Sequence, residues 1–175
     1  LIEELHAAET EADLVVVGKR GEDASATNHV GSHIERAVRT STKPVLVTSR
    51  VFAPVKKILI AFDGGSSAIK AVNHVAQSKV FGGLKCTLLC AGPKTTDNQR
   101  MIDGAAAILR DAGYDLTVSL IDGQPEVAIT EAAETGSYDM LLMGAYGHSR
   151  IRRLFIGSTT TEMVQSCKLP VLLFR

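Results

Sequence analysis

One stretch near the end of the chain has the residue types and the spacing to hold a phosphate group. Residues 144–158 read GAYGHSRIRRLFIGS, in which Gly144 and Gly147 are followed, after nine intervening residues, by Gly157 and Ser158. Glycines let the backbone approach a ligand closely, and a helix N-terminus offers unpaired N–H groups with a partial positive charge. A helix that begins at Ser158 would complete a phosphate-binding loop. The alternative is a tight turn in which Ser158 only caps the helix.

The side chains of this loop favour an anion. Between its second and third glycines the loop carries Arg150, Arg152 and Arg153 and no acidic residue, so a phosphate would meet a favourable field. The candidate site also includes His148, which lies in the loop, and Thr159, which follows Ser158. The arginines have an alternative interpretation as part of a solvated loop or an interface.

The same glycine skeleton occurs near the start of the chain, in GKRGEDASATNHVGS. Sliding the sequence against itself by 126 positions aligns, without a gap, Gly18, Gly21, Gly31 and Ser32 with the glycines and the serine of the second loop. Further identities in the same register indicate a duplication. The first loop is the weaker candidate site, because it opens with two acidic residues.

A repeat of this length is a whole domain, since domains usually hold about 100 to 200 residues. Residues 1–50 are therefore expected to be the C-terminal part of a first domain, and residues 57–175 a complete second copy. The linker predicted between them, residues 51–56, contains a proline and has no helical period. This arrangement also suggests that the start of a larger protein is missing.

Apolar strand-forming runs alternate with helical patterns in the complete copy. The five expected strands are KKILIAFD, KCTLLCA, YDLTVSLIDG, YDMLLMGA and LPVLLFR. The first helix between them is predicted to bury a face formed by Ile69, Val72 and Ala76, while Gly113 suits a helix end and Pro125 a helix start. Apolar strands alternating with amphipathic helices indicate a mostly parallel sheet covered on both faces. Ligands of such sheets bind beyond the carboxyl ends of the strands, where the second glycine loop begins.

Composition narrows the possible partners. Lys and Arg together number 19, as do Asp and Glu, so bulk charge selects neither nucleic acid nor an anionic membrane surface. No apolar run approaches the roughly 20 residues of a membrane helix, and we expect a cytoplasmic protein. The three cysteines lack C-x-x-C spacing and suit buried, reduced thiols.

Several kinds of chemistry lack their sequence patterns. The chain has no G-x-x-x-x-G-K-[ST], which argues against a Walker-type NTPase, and no G-x-G-x-x-G after the first strand, which argues against a dinucleotide enzyme. The five histidines include a single H-x-x-x-H pair, His29 and His33 in HVGSH, and each is most simply a surface or core residue. We predict no metal site and no catalytic residue.

The glycine skeleton, Asp63 at the end of ILIAFD and the terminal KLPVLLFR together resemble the universal stress protein family, in its ATP-binding subgroup. The resemblance covers residues 57–175, and residues 1–50 look like the end of a preceding copy, as in a tandem universal stress protein. It implies a flavodoxin-like (Rossmann-like) α/β fold, a doubly wound parallel five-stranded sheet, with a partial second copy of the same fold.

The resemblance also implies a ligand, ATP, with or without Mg²⁺. Asp63 would lie near the adenosine, and a residue of the second strand around Cys90 and Ala91 would line the base pocket, with Ala91 as the candidate. The glycines and Ser158 would hold phosphate and ribose. Pairing through the fifth strand is implied as well, either within the chain or in a homodimer. The residues expected in that pairing are Val45, Val47, Val171 and Leu173.

Two functions of different classes follow. The first is an ATP-binding regulatory or stress-response module whose nucleotide state sets conformation or assembly, with at most slow ATP hydrolysis, because no residues assemble an attacking water. The second is an interaction and dimerisation module whose nucleotide loop is vestigial. A third, an adenylyl-transferring enzyme, needs a catalytic base for which the sequence offers no residue.

Overall fold

A computed structural model of the chain describes residues 7–19, 32–49, 51–145 and 158–175, within which seven strands form one sheet. The strands are β1 (Val15–Gly18), β2 (Val45–Thr48), β3 (Lys57–Ala61), β4 (Lys85–Ala91), β5 (Asp115–Ile121), β6 (Met140–Gly144) and β7 (Val171–Phe174). The helices with defined bounds are α1 (Ser32–Thr40), α2 (Ser66–Gln77), α3 (Thr96–Asp111), α4 (Pro125–Thr135) and α5 (Ser158–Ser166), and a 3-10 helix spans Lys79–Phe81.

The strand order across the sheet is β1-β2-β7-β6-β3-β4-β5. Strands β3 to β7 are all parallel to their neighbours within this group of five. Numbered from β3, they have the order 3-2-1-4-5, which is a doubly wound arrangement. The predicted fold class is confirmed.

Helices cover both faces of this sheet. Helices α2 and α3 pack on the face that carries Ile58 and Ile60, while α1, α4 and α5 pack on the face that carries Leu59 and Leu141. Strand β3 is apolar on both sides because neither side meets water, as expected for a central parallel strand. Strand β5 lies at the edge of the sheet and is mostly half-exposed.

The predicted buried face of α2 was partly wrong. The helix buries Ala68, Ala71, Val72 and Val75, whereas Ile69 is 43% exposed and Ala76 is only partly buried. The reason is the close approach of α2 to the end of β6, which requires small residues on the contacting face. The alanines meet this requirement, and the bulkier Ile69 therefore points away from the core.

Two predicted helix boundaries are confirmed. Gly113 adopts a positive φ of 86° after α3, and its N–H donates to the carbonyl of Arg110 (2.9 Å). The next N–H, of Tyr114, donates to the carbonyl of Leu109 (3.1 Å), which completes a Schellman motif. Pro125 occupies the first turn of α4, where its missing N–H costs nothing.

Strand β2, which belongs to residues 1–50, pairs antiparallel with β7 within the chain. Val45 lies opposite Leu173 and Val47 lies opposite Val171. The four residues predicted for fifth-strand pairing are therefore paired with one another. A second link joins residues 1–50 to the rest of the chain, since the Lys19 ammonium donates to the carbonyl of Cys167 just after α5. The edge of β7 that a homodimer would use is thus occupied by β2.

His74 provides a pH-dependent contribution to stability. Its ring lies near Phe174 (5.2 Å between ring centroids) and Phe81 (6.0 Å), and burial lowers its pKa from about 6.5. Because the folded protein binds this proton less readily than the unfolded chain, the contribution is present above pH 6.5 and is lost as pH falls from 6.5 through the lowered pKa.

We therefore expect acidification from pH 7.5 to pH 5.5 to reduce the free energy of unfolding less in a His74→Gln variant than in the parent. Urea unfolding of both proteins at the two pH values measures the loss of unfolding free energy in each. Because the parent and the variant are measured in the same buffers, buffer effects cancel in the comparison. Equal losses in the two proteins would show that His74 does not contribute.

Candidate functional site

The strand order changes direction at β3, which has β4 on one side and β6 on the other. The chain leaves β3 into α2 on one face and leaves β6 toward α5 on the other, so the carboxyl ends of β3 and β6 flank a switch point. Asp63 follows β3, while Ala91 ends β4 and Gly144 ends β6. The structure thus brings three sequence-predicted residues to neighbouring positions at the carboxyl ends of adjacent strands.

Asp63 shapes the turn that starts α2. Its Oδ1 accepts a hydrogen bond from the N–H of Gly65 (2.8 Å), and Gly64 between them has a φ of 75° that favours glycine. Burial raises the pKa of the Cys90 thiol near the end of β4, and the negative charge of Asp63 raises this pKa further. Asp63 therefore stabilises the turn and borders the region where Ala91 lies.

Gly144 has a packing role that the sequence did not reveal. A Cβ atom at this position would lie 2.9 Å from the backbone nitrogen of Ala68 and 2.9 Å from Cβ of Ser67. Both atoms belong to the first turn of α2, so the absence of a side chain at Gly144 lets that helix pack against the end of β6. The glycine serves the scaffold of the site, whatever it contributes to a ligand.

The first turn of α5 is joined to the end of β6. The hydroxyl of Thr160, which is 3% exposed, donates to the carbonyl of Gly144 (3.2 Å). The N–H of Ala145 donates to the carbonyl of Phe174 (2.7 Å) and ties β6 to β7 at the same level. A helix N-terminus therefore lies beside the switch point, which is the geometry that the glycine pattern requires of a phosphate loop.

Thr159, a predicted contact residue, has a partner that the sequence did not reveal. Its hydroxyl donates to Oε1 of Glu126 at 2.6 Å, and Glu126 belongs to the first turn of α4. The two residues are 33 positions apart, and no motif connects them. A carboxylate thus lies at the N-terminal turn of the helix that was predicted to receive phosphate.

Eight predicted loop residues lie outside the described part of the chain: Gly21, Gly31, Gly147, His148, Arg150, Arg152, Arg153 and Gly157. The flanking residues keep the duplicated pattern, because Gly18 and Gly144 each end a strand, while Ser32 and Ser158 each begin a helix. The first strand-and-helix pair therefore matches the second where both are described.

A separate groove lies beyond the carboxyl ends of β4 and β5. It has a volume of about 530 Å³ and is lined by Lys94, Thr95, Thr96, Gln99, Arg100 and Leu120. None of the residues predicted from the glycine pattern that fall within the described ranges lines it. The groove is therefore a competing location for a ligand, distinct from the switch point.

The remaining candidate chemistry is limited within the described ranges. Cys86, Cys90 and Cys167 are buried free thiols, as predicted, and burial raises the pKa of Cys86 to about 12. Among the residues that the structure describes, no three His, Cys, Asp or Glu side chains are grouped as metal ligands, and no helix is long and apolar enough to span a membrane.

The fold and the candidate site define a doubly wound α/β protein with a helix N-terminus at the switch point of its sheet. The family model described as "Universal stress protein family" matches residues 2–49 and 91–175. The chain therefore belongs to the universal stress protein family.

Known proteins agree with this assignment. The chain is 40% identical over 166 residues to a universal stress protein of the cyanobacterium Synechocystis, covering 93% of the chain and 58% of the relative. The crystal structure of a universal stress protein from Archaeoglobus fulgidus matches 99% of the chain and 64% of its own length, with a TM-score of 0.74 and 18% identity. A universal stress family protein from Arabidopsis thaliana, crystallised with AMP bound, matches 69% of the chain and 91% of its own length, with a TM-score of 0.52 and 14% identity. The chain thus spans less than two thirds of the first two proteins.

Proposed function

We propose that the chain is the adenine-nucleotide-binding part of a stress-response regulator whose nucleotide state sets its conformation or assembly. The observation that carries the proposal is the hydrogen bond from Thr160 to the carbonyl of Gly144, which holds the start of α5 beside the end of β6. A helix N-terminus at a switch point favours phosphate binding, since it presents N–H groups and a partial positive charge.

The residue roles in the proposal follow from the positions of the residues at the carboxyl ends of the strands. Asp63 and Ala91, at the ends of β3 and β4, border the adenosine, with Asp63 also holding the turn into α2. The backbone from Gly144 and the first turn of α5, with Ser158 and Thr159, receives the phosphates of ATP, ADP or AMP, with or without Mg²⁺. Gly147, His148, Arg150 and Gly157 complete the loop by the sequence pattern. The loop of the first copy, which runs from Gly18 to Ser32, is a second and weaker site.

The AMP complex of the Arabidopsis protein supports an adenine nucleotide as the ligand class. The proposal gives the nucleotide a regulatory role, with hydrolysis no faster than a slow background reaction. It also keeps the predicted domain organisation, in which residues 1–50 end one domain, residues 51–56 link it to the next, and residues 57–175 form a complete second one. A cytoplasmic location stays part of the proposal.

The test compares the parent with two variants. Gly157→Asp places a negative charge where phosphate is proposed to bind, whereas Gly104→Ala is a control on the exposed side of α3, where an added Cβ meets no atom within 4 Å. Each protein is denatured and its supernatant assayed for nucleotide, and each is titrated calorimetrically with AMP, ADP and ATP, with and without magnesium.

We expect the parent and Gly104→Ala to retain or bind an adenine nucleotide at one site per chain, and Gly157→Asp to bind at least about tenfold more weakly, because two anions would share the helix N-terminus. If none of the three proteins binds nucleotide, the interaction-module function replaces this one. If all three bind equally, the nucleotide lies elsewhere.

A further inference from the structure

We infer that Glu126 shifts the charge preference of the proposed nucleotide site, because it weakens the binding of ligands more strongly as their negative charge increases. The inference rests on the proposed function, and it assigns a specificity-determining role to a residue of α4 that the glycine pattern does not include. Its basis is the contact between the Glu126 carboxylate and the Thr159 hydroxyl.

The contact has the geometry of a charge-assisted hydrogen bond. An O–H···O⁻ bond typically spans about 2.5 to 2.7 Å, and the Thr159 hydroxyl lies 2.6 Å from Oε1 of Glu126. Thr159 cannot move far from the switch point, because the next residue, Thr160, is held to the carbonyl of Gly144. The carboxylate is therefore fixed at the N-terminal turn of α5.

The N-termini of two helices favour a negative charge at this place. Glu126 lies in the first turn of α4, directly after Pro125, where the partial positive charge of that helix favours an anion. The first turn of α5 reads STTT and supplies no acidic residue of its own. Glu126 therefore places a negative charge at the N-terminus of α5, where such a charge is favourable. A bound phosphate would place a negative charge at the same end of the helix.

A phosphate that binds the first turn of α5 must either take the Thr159 hydroxyl from Glu126 or bind next to its charge. In both cases the unfavourable interaction between the two anions grows with each phosphoryl group that the nucleotide carries. Removal of the Glu126 charge should therefore raise the affinity for ATP more than the affinity for AMP.

The test uses Glu126→Gln, in which the side-chain amide keeps an oxygen acceptor for Thr159 but loses the charge. Its matched control is Glu131→Gln, which removes the same charge from an exposed position on the same helix. The parent and both variants are titrated calorimetrically with AMP, ADP and ATP in EDTA, at low and at high salt. Thermal melting of each protein confirms that the variants are folded.

In Glu126→Gln we expect affinity to rise by roughly threefold for AMP and by roughly 30-fold for ATP at low salt, with a smaller difference at high salt because exposed charges are screened. Glu131→Gln should bind like the parent. An equal change for the three nucleotides, no change, or weaker binding in Glu126→Gln overturns the inference alone, provided that the parent binds nucleotide. Absence of binding in all three proteins overturns the proposed function, and the inference with it.

Discussion

Replacing Leu173 with alanine is expected to lower the free energy of unfolding by about 2 to 5 kcal/mol, the usual cost of truncating a large core residue. Leu173 is 1% exposed in β7, where it lies opposite Val45 of β2 and beside Met143 of β6. All three belong to one buried cluster, so the cavity left by the truncation would affect both β2 and β6.

Urea unfolding measures this change, with Leu14→Ala as a control because Leu14 is 39% exposed next to β1 and should cost less than about 1 kcal/mol. Hydrogen exchange adds the spatial information. We expect the amides of both β2 and β6 to exchange faster in Leu173→Ala. Unchanged protection in β2 would contradict the shared core and would indicate that residues 7–49 fold without the support of β7.

Replacing Gly144 with alanine is expected to cost about 1 to 3 kcal/mol of stability, as overpacking of a close contact usually does. The new Cβ would approach the backbone of Ala68 and the Cβ of Ser67 at 2.9 Å, and the backbone of a helix cannot yield as the tip of a flexible side chain can. Either α2 or the end of β6 must shift, so nucleotide binding at the switch point should weaken together with stability.

The matched substitution is Gly104→Ala, which adds the same methyl group in open space within α3. It should stabilise the protein by about 0.5 to 1 kcal/mol, since alanine is the better helix former. Chemical denaturation and calorimetry on both variants separate the two effects. A Gly144→Ala protein as stable as the parent would refute the steric role of Gly144.

Much of the fold could be predicted because its determinants are local or periodic. The apolar run of β3 indicates a central strand, and Gly113 indicates a helix end through its need for a positive φ. The face of α2 could not be predicted with the same success, because a period of 3.6 residues fits two adjacent stripes almost equally well. Only the approach of β6 selects the stripe that contains Ala68 rather than Ile69.

The candidate site divides in the same way. Gly144 and Ser158 could be placed at a strand end and a helix start, because strand, loop and helix follow one another along the chain. Glu126 and Thr160 could not, since each acts through a hydrogen bond to a residue distant in sequence. Contacts of this kind depend on how the helices pack on the sheet, so the spacing of residues in a single sequence does not predict them.

A crystal structure of the protein with AMP would test the central claim most directly. The account predicts adenosine density between the ends of β3 and β4, next to Asp63 and Ala91, with the phosphate at the first turn of α5. AMP bound instead in the groove lined by Lys94 and Arg100, with the switch point empty, would contradict it.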